Sequence, residues 1–268
     1  MLKIIGMSEE VLGVFYENGS GKSILTNWSL KEVEDAGDGC PVSLVQLAKE
    51  EGLKEILVIS SNFRTFIPLL ENMDKIGVKL TFGLEILMTK DADDHSDISR
   101  WSNYKVIVIA KNSKGRLDLF KIFSAWKTRK ENKYYDFRFD EKQLLPLLTQ
   151  NLQLVYPFFN SPIAKNLLVH NSNIVPNPPP DTILFREVDS EHPHEDIINS
   201  TLNRYNGDKR FREIRVKSIY YKNREDFKKL LVFKTILSGD GNFSAPEMSY
   251  CCSDAFCYES LKEVNKKV

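Results

Sequence analysis

The sequence predicts an α/β fold organised around a mostly parallel, buried sheet, and three observations carry that prediction. First, Ile56–Ser60, Lys79–Ile86 and Tyr104–Ala110 are near-continuous apolar runs of strand length, the pattern of strands covered on both faces. Second, the apolar residues of Phe66–Gly77 recur at helical spacing, with Gly77 where a helix C-cap is expected; strands alternating with helices build layered α/β architectures. Third, 268 residues can bury one core of α/β-barrel size. A single domain over 1–268 is therefore expected.

The elements follow in order. A first strand is expected at either Leu2–Ile5 or Val11–Tyr16. Gly19-Ser20-Gly21-Lys22-Ser23 has the look of a phosphate-cradling loop, but Tyr16 stands where the motif needs a further glycine, and Asn27-Trp28-Ser29 interrupts any following helix. Asp35–Pro41 is a loop by its Gly, Asp and Pro content. Pro41 is placed to open a helix over Val42–Glu51, with Leu44, Val45, Leu47 and Ala48 as its apolar stripe and Gly52 as its stop. Lys90–Asp97 is dense in carboxylates yet lacks the central Gly and distal Glu of a calcium loop, so it reads as a solvated loop. The four prolines of Ile174–Asp181 fix φ and remove donors, which makes a stiff surface connection. Ile183–Val188 is a strand, and His192-Pro193-His194 is an exposed loop entering a helix over Asp196–Tyr205. Pro193 forbids the helical i, i+4 spacing of zinc hydrolases, and no third histidine has matching spacing.

Lys+Arg and Asp+Glu balance at 37 each, so no bulk basic charge drives binding to nucleic acid. The four cysteines, Cys40, Cys251, Cys252 and Cys257, form no paired zinc spacing and read as reduced thiols. No run is long and apolar enough to span a membrane, and Met1–Gly6 does not open a cleavable signal. A cytoplasmic protein without a membrane partner is expected.

Between residues 59 and 112 the chain resembles a known family. Ile59-Ser60-Ser61-Asn62, Ile76-Gly77-Val78-Lys79, Gly83-Leu84-Glu85 and Val108-Ile109-Ala110-Lys111-Asn112 follow in that order. They are similar to phrases of the type ITDHN, GIKPIIGCE and HLxLLAKN in the polymerase-and-histidinol-phosphatase (PHP) domain at the front of bacterial DNA polymerase III alpha subunits. The resemblance continues through Lys114–Ser124, the helix after AKN; Tyr135–Leu144; Leu152–Pro157, a strand; Arg212–Tyr221, a strand; Arg224–Leu237, a helix; and Phe256–Val264. It implies a distorted (β/α)7, TIM-like barrel over 1–240 and a C-terminal extension over 241–268. It also implies that Ser60, Glu85, Ala110 and Ser218 gather at one barrel end, as strand ends do in a parallel barrel.

Active PHP sites hold up to three metal ions on histidines and carboxylates, which polarise a phosphoryl oxygen and generate a hydroxide nucleophile. Laid on that pattern, Glu17 and Gly19 replace two histidines, Ser60 and Ser61 replace Asp and His, Lys105 replaces a histidine, and Ser218 and Tyr220 replace Asp and His. No histidine precedes His95, and Glu85 alone matches. A catalytic divalent cation needs about three or more protein ligands. The resemblance therefore implies a pseudoenzyme with no cofactor, in which Glu85 pairs with a nearby base such as Lys105.

Three functions remain open. The first is a protein-binding accessory module of DNA replication, a stand-alone copy of the kind a phage would encode. Its partner would be a DNA polymerase or a proofreading exonuclease, and its surface would include Phe243, Met248, Tyr250, Phe256 and Tyr258 of the extension. The second is a metal-dependent phosphoesterase or nuclease with substituted ligands drawn from Glu17, Glu85, Asp91–Asp97 and His192 or His194. The third is direct nucleic-acid contact through Arg210, Arg212, Arg215 and Lys217 with interleaved aromatics, a pattern that strand alternation also produces.

Overall fold

The computed structural model describes residues 10–18, 22–37, 40–94, 96, 103–128, 137–168, 174, 177–207, 211–238 and 253–267. Its strands are β1 (Leu12–Tyr16), β2 (Glu55–Ser60), β3 (Lys79–Met88), β4 (Tyr104–Ala110), β5 (Leu152–Tyr156), β6 (Ile183–Glu187) and β7 (Arg212–Ile219). Their hydrogen-bonded order runs β1 to β7 in sequence and closes into a seven-stranded barrel. Helices α1 (Leu30–Ala36), α2 (Leu44–Glu50), α3 (Phe66–Lys75), α4 (Ser113–Lys127), α5 (Glu141–Leu144), α6 (Pro162–Leu168), α7 (Glu195–Tyr205), α8 (Phe227–Ser238) and α9 (Tyr258–Lys267) accompany them. No helix among the described residues is long and apolar enough to cross a membrane. The chain divides into two compact units: Met1–Phe82 with Glu187–His192 and Arg215–Val268, and Gly83–Arg186 with Pro193–Ile214.

In the first unit β1 runs parallel to both neighbours, with Tyr16 opposite Ile59 of β2 and Val14 opposite Ser218 of β7. Of the two candidate first strands, the described one is Leu12–Tyr16; Leu2–Ile5 lies outside the described residues. Helix α2 buries the stripe Leu44, Val45, Leu47 and Ala48 read from the sequence. Its cap is Ser43, whose Oγ accepts from the Val45 and Gln46 N–H groups, so Pro41 precedes the helix instead of opening it. Helix α3 ends at Lys75, two residues before Gly77, which takes φ +71°, a conformation that strains any residue with a Cβ.

The C-terminal segment is part of this unit's core. Tyr221 and Cys257 form a parallel bridge, Phe256 C=O accepts from Tyr220 N–H at 3.0 Å, and Asn265 accepts from Val11 N–H and donates to Val11 C=O. Phe256 is 0% and Tyr258 6% exposed. The expectation that these two aromatics form a free partner surface is therefore corrected: the chain itself covers them. Phe243, Met248 and Tyr250 lie outside the described residues.

The second unit departs from the parallel expectation. β4 is antiparallel to β3, with Glu85 opposite Ile107, and antiparallel to β5, with Val108 opposite Leu154. An apolar run has no direction of its own, and the polar stretch between β3 and β4 lacks the apolar helical spacing of a crossover. Antiparallel neighbours need none, whereas parallel ones need a dozen or more connecting residues, usually a helix. β5 and β6, joined by a longer connection that contains α6, are parallel, with Val155 opposite Ile183.

Helix α4 starts against the sheet at Gly115. Asn112 caps it, its side chain accepting from the Gly115 N–H at 2.9 Å. A Cβ at Gly115 would stand 2.3 Å from the Asn151 carbonyl oxygen and 3.3 Å from Ala110 Cα. Alanine should thus lower stability although it favours a helix interior by about 1 kcal/mol. The clash is with backbone, so a net loss of about 2 kcal/mol is expected, read as a melting temperature lower by about 5 °C. An unchanged or higher value would show that the strand yields freely.

Candidate functional site

Three carboxylates stand on or just after barrel strands, each already engaged by donors. Glu17 follows β1 and is 1% exposed. Its Oε1 accepts from Ser60 Oγ–H at 2.5 Å, and its Oε2 accepts from Thr65 Oγ1–H at 2.5 Å and from the Asn27 side-chain amide. β2 delivers Ser60, and the residue before α3 delivers Thr65. A buried carboxylate is tolerable only with such compensation, and hydrogen bonds to an ionised acceptor are the stronger kind.

The second carboxylate is Glu187, the last residue of β6, which is fully buried. Its two oxygens accept from Ser218 N–H at 2.8 Å and Ser218 Oγ–H at 2.7 Å. Beside Ser218, the buried Lys217 donates to the carbonyls of Val188 at 3.2 Å and Asp189 at 2.6 Å. Asp189 and Glu191 take φ of +48° and +54°, a region costly for non-glycine residues. Arg224 reaches Glu191, Asp254 and Glu263 at 3.3, 2.7 and 3.2 Å, so this strained loop is tied to the C-terminal segment.

The third carboxylate lies in the second unit. Glu85 Oε2 is 3.2 Å from Lys105 Nζ, the two side chains being 7% and 28% exposed. This is the pairing expected from the sequence, and the antiparallel register explains it. Lys105 lies opposite Leu87, one diagonal step from Glu85 on the same face of the sheet.

The remaining candidates disperse. Ser60 and Ser218 flank β1 on strands parallel to it, as expected. Within the second unit β4 is reversed, so the residue before Ala110 pairs with Gly83 and Ala110 lies away from the C-terminal end of β3. Ser61 is half-buried in the bend after β2, and Gly19 lies outside the described residues. Tyr220 stacks on Tyr16 at 4.6 Å and 14°. Lys22 lies 5.2 Å above the Tyr16 ring, and the buried Ser23 hydroxyl donates to Tyr220 C=O at 2.7 Å. Both side chains therefore serve the barrel, and no helix opens at Ser23. His192 is 5% exposed instead of lying in an exposed loop, and His194 directly precedes α7.

The nucleic-acid reading loses one of its residues. Lys217 is 0% exposed, its ammonium held inside by the carbonyls of Val188 and Asp189; the expectation of a contact there is corrected. Arg212 and Arg215 are exposed, and Arg210 lies outside the described residues. The Asp91, Asp93 and Asp94 side chains are exposed, as the solvated-loop reading has it. Among the described residues, no group of three or more His, Cys, Asp and Glu side chains is placed to hold a metal ion. Cys40 and Cys257 are free thiols, and burial pushes that of Cys257 up.

Sequence reasoning missed Glu187 and Thr65. The available signal for Glu187 was its parity: it shares a strand face with Ile183 and Phe185, where a carboxylate needs a buried partner. The fold and these sites define a closed seven-stranded α/β barrel with satisfied internal carboxylates. The sequence matches no protein-family model and no curated protein.

Proposed function

We propose that this chain is a catalytically inactive barrel of the PHP type, a (β/α)7 form with β4 reversed, serving in the cytoplasm as a protein-binding module of DNA replication. The observation that carries this reading is the engagement of the carboxylates. Glu17 is saturated by two hydroxyls and an amide, Glu187 by the N–H and hydroxyl of Ser218, and Glu85 faces the Lys105 ammonium. A divalent cation binds bare carboxylate oxygens, so it would have to displace those donors and, at Glu85, contend with a fixed positive charge. The strand segments Ile56–Ile59 and Val106–Ile109 are uniformly apolar, at 0–6% exposure, so on this reading the scaffold has been kept while the ligand residues differ.

The class of partner comes from the resemblance. In polymerases of that family the domain packs against the polymerase core and, in many members, a proofreading exonuclease. The test is to mix the purified chain with the replicative DNA polymerase and, separately, with the exonuclease of the same source, and to measure complex formation by calorimetry. A stable complex with one of them is expected, together with substoichiometric metal after incubation with Mn²⁺ or Zn²⁺. About two or three tightly held ions per chain, or metal-dependent turnover of a phosphoester, would overturn the inactive reading. Absence of a complex with either protein would overturn the partner.

A further inference from the structure

The last turn of α4 holds an ammonium inside a box of aromatic rings that the proposed function does not use. Lys127 Nζ lies 3.8 Å from the centroid of the Trp126 ring, 4.4 Å from that of Phe137 and 5.9 Å from that of Phe123. The spacing of Phe123, Trp126 and Lys127 puts all three on neighbouring positions of the helix surface. The rings are braced. Trp126 Nε1–H donates to Phe137 C=O at 2.8 Å, and Phe123 meets Trp126 edge-on at 6.2 Å. Trp126 is buried, while Phe137 is 37% exposed and forms the open side.

Lys127 fits this box incompletely. It makes no hydrogen bond or ion pair among the described residues, and burial holds its amine below the ordinary lysine range with no carboxylate to offset the shift. A primary ammonium carries three N–H donors, which the half-exposed Lys127 must turn to water because ring faces accept poorly. A quaternary ammonium carries none, yet it draws the same attraction from the ring quadrupoles.

We propose that the box formed by Phe123, Trp126 and Phe137 is a binding site for a trimethylammonium group, with Lys127 as its tethered and displaceable occupant. The group can arrive on a small solute such as choline or on a trimethylated lysine side chain, and the recognition chemistry is the same. Lys127 then acts as a gate, because a ligand binds only in the fraction of molecules whose lysine has swung out.

The test titrates the full chain with tetramethylammonium chloride, choline and a trimethyllysine peptide, using sodium chloride as the ionic-strength control. The readout is the Trp126 indole N–H resonance, assigned with Trp126→Phe. Lys127→Ala is expected to bind roughly tenfold more tightly than the wild-type chain, the value for a lysine that fills the box about nine-tenths of the time. Adding Phe137→Ala to that variant should abolish the response. Tighter binding of the peptide than of choline identifies a modified protein as the source of the group, and equal binding identifies a small solute. The site is overturned if Lys127→Ala keeps its indole hydrogen bond and shows no shift with any of the three ligands. Displacement is overturned if the wild-type chain stays silent at a hundredfold the variant's half-saturation. Should Lys127→Ala fail to fold, Lys127→Ser takes its place under the same criteria.

Discussion

Ending the chain at Cys252 is expected to prevent the first unit from folding. The deleted segment carries Phe256, Tyr258, Leu261 and Val264, all between 0% and 7% exposed. Burying one such side chain contributes about 1.5–3 kcal/mol, and ordering the segment offsets part of the sum. A net loss of about 5 kcal/mol or more is comparable to the whole stability of an ordinary domain. The deletion also strips the Asn265 partner from both backbone groups of Val11, at the entry to β1. The measurement is far-UV circular dichroism with thermal unfolding of the truncated protein. A cooperative transition within a few degrees of the full chain would show that the tail is dispensable. Removing only Lys266–Val268 is the control: it costs the exposed Lys267–Asp189 pair at 3.5 Å, a contact of little worth, and the transition should scarcely move.

That outcome runs against the reading of Phe256 and Tyr258 as an outward patch, and the reason is general. Composition shows that an aromatic needs covering, not what covers it, and here the cover lies far back along the chain, at Tyr220 and at Phe15, whose ring is 6.0 Å from that of Tyr258. Elements defined by local pattern were legible. The strands at 56–60, 79–86 and 104–110 and the stripe of α2 fall where apolar spacing puts them, because burial on one or two faces is written residue by residue. Strand direction was not legible, as β4 shows, because direction depends on the connection and not on the strand. At the site, the Glu85–Lys105 pair was anticipated only through the resemblance, which lays both residues on ligand positions of the family pattern. The Glu17 cluster could not be anticipated, since Asn27, Ser60 and Thr65 are ordinary loop and strand-end residues until the barrel brings them to one carboxylate.

That cluster gives the second large effect: Glu17→Ala should cost about 4 kcal/mol, a fall in melting temperature of about 10 °C. The substitution leaves the hydroxyls of Ser60 and Thr65 and the amide of Asn27 without their acceptor, at about 1–3 kcal/mol for each buried donor. Thr65 is half-buried and can turn to water, whereas Ser60 is 1% and Asn27 9% exposed. Asn27 Oδ1 already has no partner among the described residues, so its amide has no alternative orientation there that satisfies both ends. Ser60→Ala removes one donor and leaves the carboxylate two, so a cost of about 1 kcal/mol is expected. The double variant should then be less destabilised than the sum by about 1 kcal/mol, the coupling expected of groups in direct contact. The sign of the first result separates two origins for Glu17. A large loss means that the carboxylate is a structural acceptor for the donors around it. A neutral or stabilising Glu17→Ala is the behaviour of a charge kept for chemistry at the expense of stability, and it would overturn the reading of this barrel end as inactive.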